Sequence, residues 1–335
     1  GKAKGITVYD VDVEAGKFIY RCEVEVDNSS YLKSSQNGKI LYSIADEGVV
    51  AFRVLPNGSL ARLNSAKIKG MRGCHLSTSK ADDYIFISGF HDGKITVLHL
   101  NEDGSVGDIA DGVFHKGLGS VAERSFRPHV SCSRLTPDER FLMVADLGID
   151  QIKVYRFDHK DGKIALVDTI RCELESAPKY FMFSSDGRFF YVLYEMKNMI
   201  EVYSYKEGER VPIVEKIQTI PSTGSKPNQL TAACAMHLSP DEKHLFCSNA
   251  GDNTVSMYDR DDETGMLTMR FCLPISGDYP KDIAIFPDGK HLASINHEGS
   301  ISFFKIDYEK GLLVMSDRSI KVNEPNCCEI VKIGD

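Results

Sequence analysis

Lys179 and Lys281 stand at the same place in two copies of a repeated unit, each six residues ahead of the turn that leads into an apolar strand. A glutamate, Glu195, closes one of those strands, which is otherwise apolar and aromatic (FFYVLYEM). The same counting brings His75, Asp146, Asn249 and His297 to neighbouring strand ends, and His129 enters from a Gly-rich loop behind Arg124 and Arg127. Two cations, a carboxylate and several imidazoles collected at one mouth would bind an anion beside a resident base. Cations in a poorly hydrated cleft act at low effective dielectric, and a carboxylate or imidazole within reach of a water can take its proton. Each residue also has a plainer reading. The lysines would be solvated strand ends, Glu195 a rim carboxylate paired with a lysine, and His129 a histidine that holds its loop.

The elements that position these residues repeat. Residues 127–157 read as strands at 129–135, 141–146 and 152–157, separated by the Pro137-Asp138 turn and the Leu147-Gly148-Ile149-Asp150 turn. Versions of this unit begin at Ser29, Gly73, Ala177, Cys234 and Tyr279, with a period of roughly fifty residues. Most continue through a polar turn (Asp103-Gly104, Asp161-Gly162, Glu207-Gly208, Thr264-Gly265) into a fourth strand. Four antiparallel strands per unit with almost no helical periodicity predict an all-β chain, one seven-bladed β-propeller domain over residues 1–335. Six units are complete. The seventh blade is expected to be a composite of residues 1–26 and 323–335, with 324–333 as a first strand and 6–11 and 18–26 as third and fourth. Sharing a blade between the termini would close the ring and remove exposed sheet edges. Two longer connections, 108–126 and 221–230, are expected to feed the face where first strands begin.

Composition narrows the function. The chain has 335 residues, 42% of them hydrophobic, a net charge of −8 and a pI near 5.7. No basic surface is available for nucleic acid, and no apolar run is long enough to span a membrane. Nine cysteines, odd in number and scattered through apolar strands, fit free thiols in a reducing compartment, so a cytoplasmic location is expected. There is no HExxH, CxxC or P-loop motif, and the expectation is a site without metal or cofactor. The partner expected is a small anionic molecule.

Five segments carry a resemblance: KGITVYDVD from Lys4, HKGLGSVAERSFRPHVS from His115, PDERFLMVADLGIDQIKVY from Pro137, MHLSPDEKHLFCSNAGDNTVSMY from Met236 and PKDIAIFPDGKHL from Pro280. Together they resemble the seven-bladed propeller lactonases, which include bacterial 6-phosphogluconolactonases and fungal carboxy-muconate cyclases. The resemblance implies a carboxylic ester hydrolase acting on a sugar lactone or related sugar acid. It places Lys179 and Lys281 where the family has arginines, Glu195 at its acid position and His129 in its Pro-His step. His75 falls in a Cys-His step and His237 in a further signature. Glu195 and His129 are then the candidate catalytic residues. Lys179, Lys281, Arg124, His75, Asp146, Asn249 and His297 are the candidate substrate ligands. The chain departs from the pattern at Ser131, Ala235 and Ala250, which removes an acid and a base from the family's rim. A muconate-type lactonizing cyclase and a non-catalytic propeller that binds a ligand or partner are the alternatives.

Overall fold

The computed structural model describes residues 4–119, 127–224, 227–228 and 230–334. Among them the chain forms six four-stranded antiparallel meanders and one two-stranded hairpin. The six meanders are propeller blades, numbered here in chain order. Their first strands are Leu32–Ser34, His75–Thr78, Val130–Leu135, Pro178–Phe183, Ala232–Leu238 and Pro280–Ile285. Second strands such as Phe141–Asp146 and Phe189–Tyr194 are buried throughout, because both faces of each sheet pack against a neighbour. That is why they read as continuous apolar runs. Fourth strands such as Ile213–Pro221 lie at the outer edge and stay largely exposed or half-buried, so their sequences mix apolar with charged residues.

Each interface between consecutive blades holds its own apolar cluster. Phe86, Val97, Leu142 and Tyr155 join blades two and three, and Ile152, Phe181, Phe190 and Tyr203 join three and four. The hairpin (Gly5–Asp12 and Lys17–Glu25) packs on both sides. Phe18 stacks on Phe286 and meets Phe303 edge-on in blade six, while Ile6 and Val26 pack with Leu41, Val50 and Phe52 of blade one.

The turn between first and second strands shows how the sequence accommodates strain. In every blade one residue there has positive φ: Gly38, Asp82, Glu139, Gly187, Glu242 and Gly289. Glycine adopts this conformation freely, and an acidic residue does so at a cost. The three acidic residues turn the strain to use. Asp82 accepts Gln36 N, Glu139 accepts Lys80 N and Glu242 accepts Ser185 N, each clasping the corresponding turn of the preceding blade.

Several boundaries differ from the sequence expectation. The strands expected at 129–135 and 152–157 begin at Val130 and Gln151. The connection expected from residue 108 starts only after Phe114, because Val106–Phe114 is the fourth strand of blade two. The segment at 324–333 is not a strand. Among the described residues it pairs with no strand, and its polar groups bond elsewhere. Cys328 N donates to Asp282 Oδ2 at 2.8 Å, and Ser34 N donates to Glu329 Oε1 at 3.0 Å.

Candidate active site

The first strands of blades three to six each carry a β-bulge at the same point. In blade three Val130 pairs with Asp146 and Cys132 with Ala145, which leaves Ser131 as the extra residue; Lys179, Cys234 and Lys281 are extra in the same way. A bulge breaks the strict alternation of side chains and re-aims the extra one. All four line a single cavity of about 810 Å3, together with Ser30, Cys74 and Asn326 from the matching positions of the other segments. The residues that follow on the strands, His75, Tyr180 and Asp282, line it too. From the ends of the second strands come Phe90, Leu147, Glu195 and His297.

The two lysines differ electrostatically. Lys179 Nζ donates to Glu195 Oε1 at 3.1 Å, with both side chains mostly buried. Burial opposes its charge, but the Glu195 carboxylate outweighs that, and the Lys179 pKa rises above the ordinary lysine value. Lys281 Nζ donates to the neutral Asn326 Oδ1 at 2.7 Å. Burial, followed by repulsion from Lys179, pushes its pKa down, and Arg72 adds to the repulsion. Arg72 and Arg127 both line the cavity.

The four cavity histidines are held differently. His129 Nδ1 bonds to the Phe90 carbonyl at 2.7 Å, and its ring stacks on Phe90 at 4.2 Å. His297 Nδ1 bonds to Pro325 O at 3.3 Å. His75 is 1% exposed, packed against Tyr31 and Tyr180, and burial drives its pKa well below the ordinary value, so it is a neutral part of the wall rather than a cationic anchor. His237 Nε2 bonds to Asp282 Oδ1 at 2.9 Å.

Two expected ligands lie outside the cavity lining. Asp146 is fully buried: it bonds His115 Nδ1 at 2.7 Å and accepts His129 N at 2.8 Å and Gly148 N at 3.0 Å, so its oxygens are spent on folding the loop that presents His129. Asn249 is likewise buried, bonded to Ser222 and Thr254. Arg124 lies outside the described residues. Sequence reasoning passed over Arg72 and the pairing of His237 with Asp282. The signal was available, since Arg72 sits two residues before the cavity residue Cys74, and Asp282 directly follows Lys281.

Comparison with known proteins identifies the family of the chain. Residues 1–330 match the family model described as lactonase, 7-bladed β-propeller. The chain is 26% identical over 341 residues to the 6-phosphogluconolactonase of Bacillus subtilis (strain 168), covering 99% of this chain and 95% of that protein. It is 30% identical to a provisionally assigned 6-phosphogluconolactonase of known structure from Bacteroides fragilis, with a TM-score of 0.88 over 98% of this chain and 94% of the other. The fold also matches the periplasmic gluconolactonase of Pseudomonas aeruginosa, with a TM-score of 0.91, 24% identity, and coverage of 100% of this chain and 97% of that one. The model spans nearly the whole chain, and the protein therefore belongs to the seven-bladed β-propeller lactonase family.

Proposed function

We propose that this protein hydrolyses a sugar lactone bearing an anionic group, of the 6-phosphogluconolactone type, in the cavity between the first strands. The observation that carries the reading is Lys281. It is a bulge-borne ammonium whose hydrogen-bond partner is a neutral amide, beside Arg72 and Lys179, with Glu195 offsetting Lys179. The lining carries Arg72, Arg127, Lys179 and Lys281 against Glu195, Asp282 and Glu324, and a phosphate or carboxylate entering beside Lys281 gains a charge-assisted contact. Lys179 and Lys281 then hold the anion, His297 borders it, and Glu195 tunes Lys179. Glu195, His129 and His237 are the groups available to activate water. The name of the Bacillus subtilis relative supports the phosphorylated substrate.

We further read the hairpin and the segment at 323–333 as the seventh blade of a closed single-domain ring, supported by the hairpin's packing on blades six and one. The nine free cysteines support a reducing, cytoplasmic setting. Hydrolysis is tested by following acid release from 6-phosphogluconolactone and from gluconolactone. Release at the spontaneous rate from both would refute the reading.

A further inference from the structure

Resting on the lactonase reading, we propose that His237, oriented by Asp282, is the base that activates the hydrolytic water. Of the four histidines lining the cavity, His237 is the one whose ring is held by a carboxylate. Asp282 is itself fixed. Its Oδ1 accepts Ile283 N at 2.9 Å, and its Oδ2 accepts Cys328 N at 2.8 Å, so the carboxylate is pinned before it meets the imidazole. A carboxylate only accepts, so Nε2 carries the proton and Nδ1 keeps a lone pair. The His237 side chain is 32% exposed against 10% for Asp282, and both residues line the cavity. The alternatives are less suited. His129 has a carbonyl behind it, which stabilises an imidazolium less than a carboxylate does, and Glu195 is already paired with Lys179.

His237 Nδ1 takes a proton from water as the water oxygen bonds to the lactone carbonyl carbon, giving a tetrahedral oxyanion and an imidazolium facing Asp282. The oxyanion collapses, the bond between the carbonyl carbon and the ring oxygen breaks, and the imidazolium returns its proton to that oxygen. The products are the hydroxy acid and the free base. Asp282 stays ionised and acts as a positioning residue. Around the pair stand Tyr180, whose ring lies 6.2 Å from His237, Arg134 bonded to Tyr180, and Glu329 on the segment that follows Cys328. Lys179, Glu195 and Lys281 line the same cavity.

The test compares the wild type with His237→Gln, Asp282→Asn, His129→Gln and Glu195→Gln, each checked for unchanged circular dichroism, using 6-phosphogluconolactone across a range of pH. General-base removal is expected to lower kcat by about 100-fold or more with KM nearly unchanged in His237→Gln. Asp282→Asn is expected to give a smaller loss of kcat and a displaced acidic limb of the pH profile. An active wild type with an unchanged kcat in His237→Gln overturns the assignment alone, as does a comparable loss confined to His129→Gln or Glu195→Gln. A wild type inert toward the lactone overturns the lactonase reading and this one with it.

Discussion

The ammonium of Lys179 lies 3.1 Å from the carboxylate of Glu195, and the two reach that distance by different backbone devices. Lys179 is the extra residue of a β-bulge, and Glu195 is the first residue beyond a fully buried strand, its N–H bonded to Ala177 O at 2.9 Å. The Glu195 carboxylate offsets the positive charge of Lys179, whereas the neighbouring Lys281 is hydrogen-bonded to the neutral amide of Asn326.

Removing the carboxylate should strengthen anion binding. Glu195→Gln frees Lys179, so the open-chain product 6-phosphogluconate is expected to bind several-fold more tightly by calorimetry. Lys179→Ala, in contrast, should weaken it by about tenfold, equivalent to the ~1.4 kcal/mol of a modest charge-assisted contact.

Lys281 sets an alkaline limit. Its pKa lies below the ordinary lysine value of 10.5, so its charge is lost as pH rises through the lowered value. Product affinity should therefore fall on the alkaline side before Lys179, whose pKa is raised, begins to titrate. Lys281→Arg, charged throughout, should abolish that fall; an unchanged profile in the variant would assign the limb to another group.

Asp146→Ala should cost stability rather than binding directly. It strips the acceptor from His115, His129 N and Gly148 N inside a fully buried site, and an expected loss of about 3 kcal/mol or more should appear in urea denaturation. A loss under about 1 kcal/mol would show that water replaces the carboxylate there.

The blade pattern was legible because burial on both faces writes itself into the second strands as unbroken apolar runs. The cavity positions of Lys179, Lys281 and Glu195 were legible for a related reason: the repeat fixes equivalent strand ends. What was hidden depends on hydrogen bonds between blades. Asp146 and Asn249 also sit at strand ends, yet their acceptors are consumed by His115 and Ser222 from neighbouring connections, which no spacing rule reveals. His237 and Asp282 are 45 residues apart in sequence and meet only because blades five and six are adjacent. The segment at 324–333 carries a strand-like sequence but has no strand partner among the described residues, and strand formation needs a ladder as well as a pattern.

Phe18 should report how firmly the hairpin is held. Its ring lies 5.4 Å from Phe286 and 5.1 Å from Phe303, and Phe18→Ala should cost about 3 to 5 kcal/mol. Limited proteolysis should then cleave the variant first within residues 5–25. Cleavage elsewhere would place the weakest joint in another blade.

Recognition of an anionic lactone through Lys281 is read in one ratio: kcat/KM for 6-phosphogluconolactone over that for gluconolactone, in the wild type and in Lys281→Ala. The wild type should prefer the phosphorylated lactone by about 100-fold or more, as expected for a contact of ~3 kcal/mol, and the preference should fall by at least tenfold in the variant. A wild type that treats both lactones alike, or a preference that survives the loss of Lys281, would contradict that recognition.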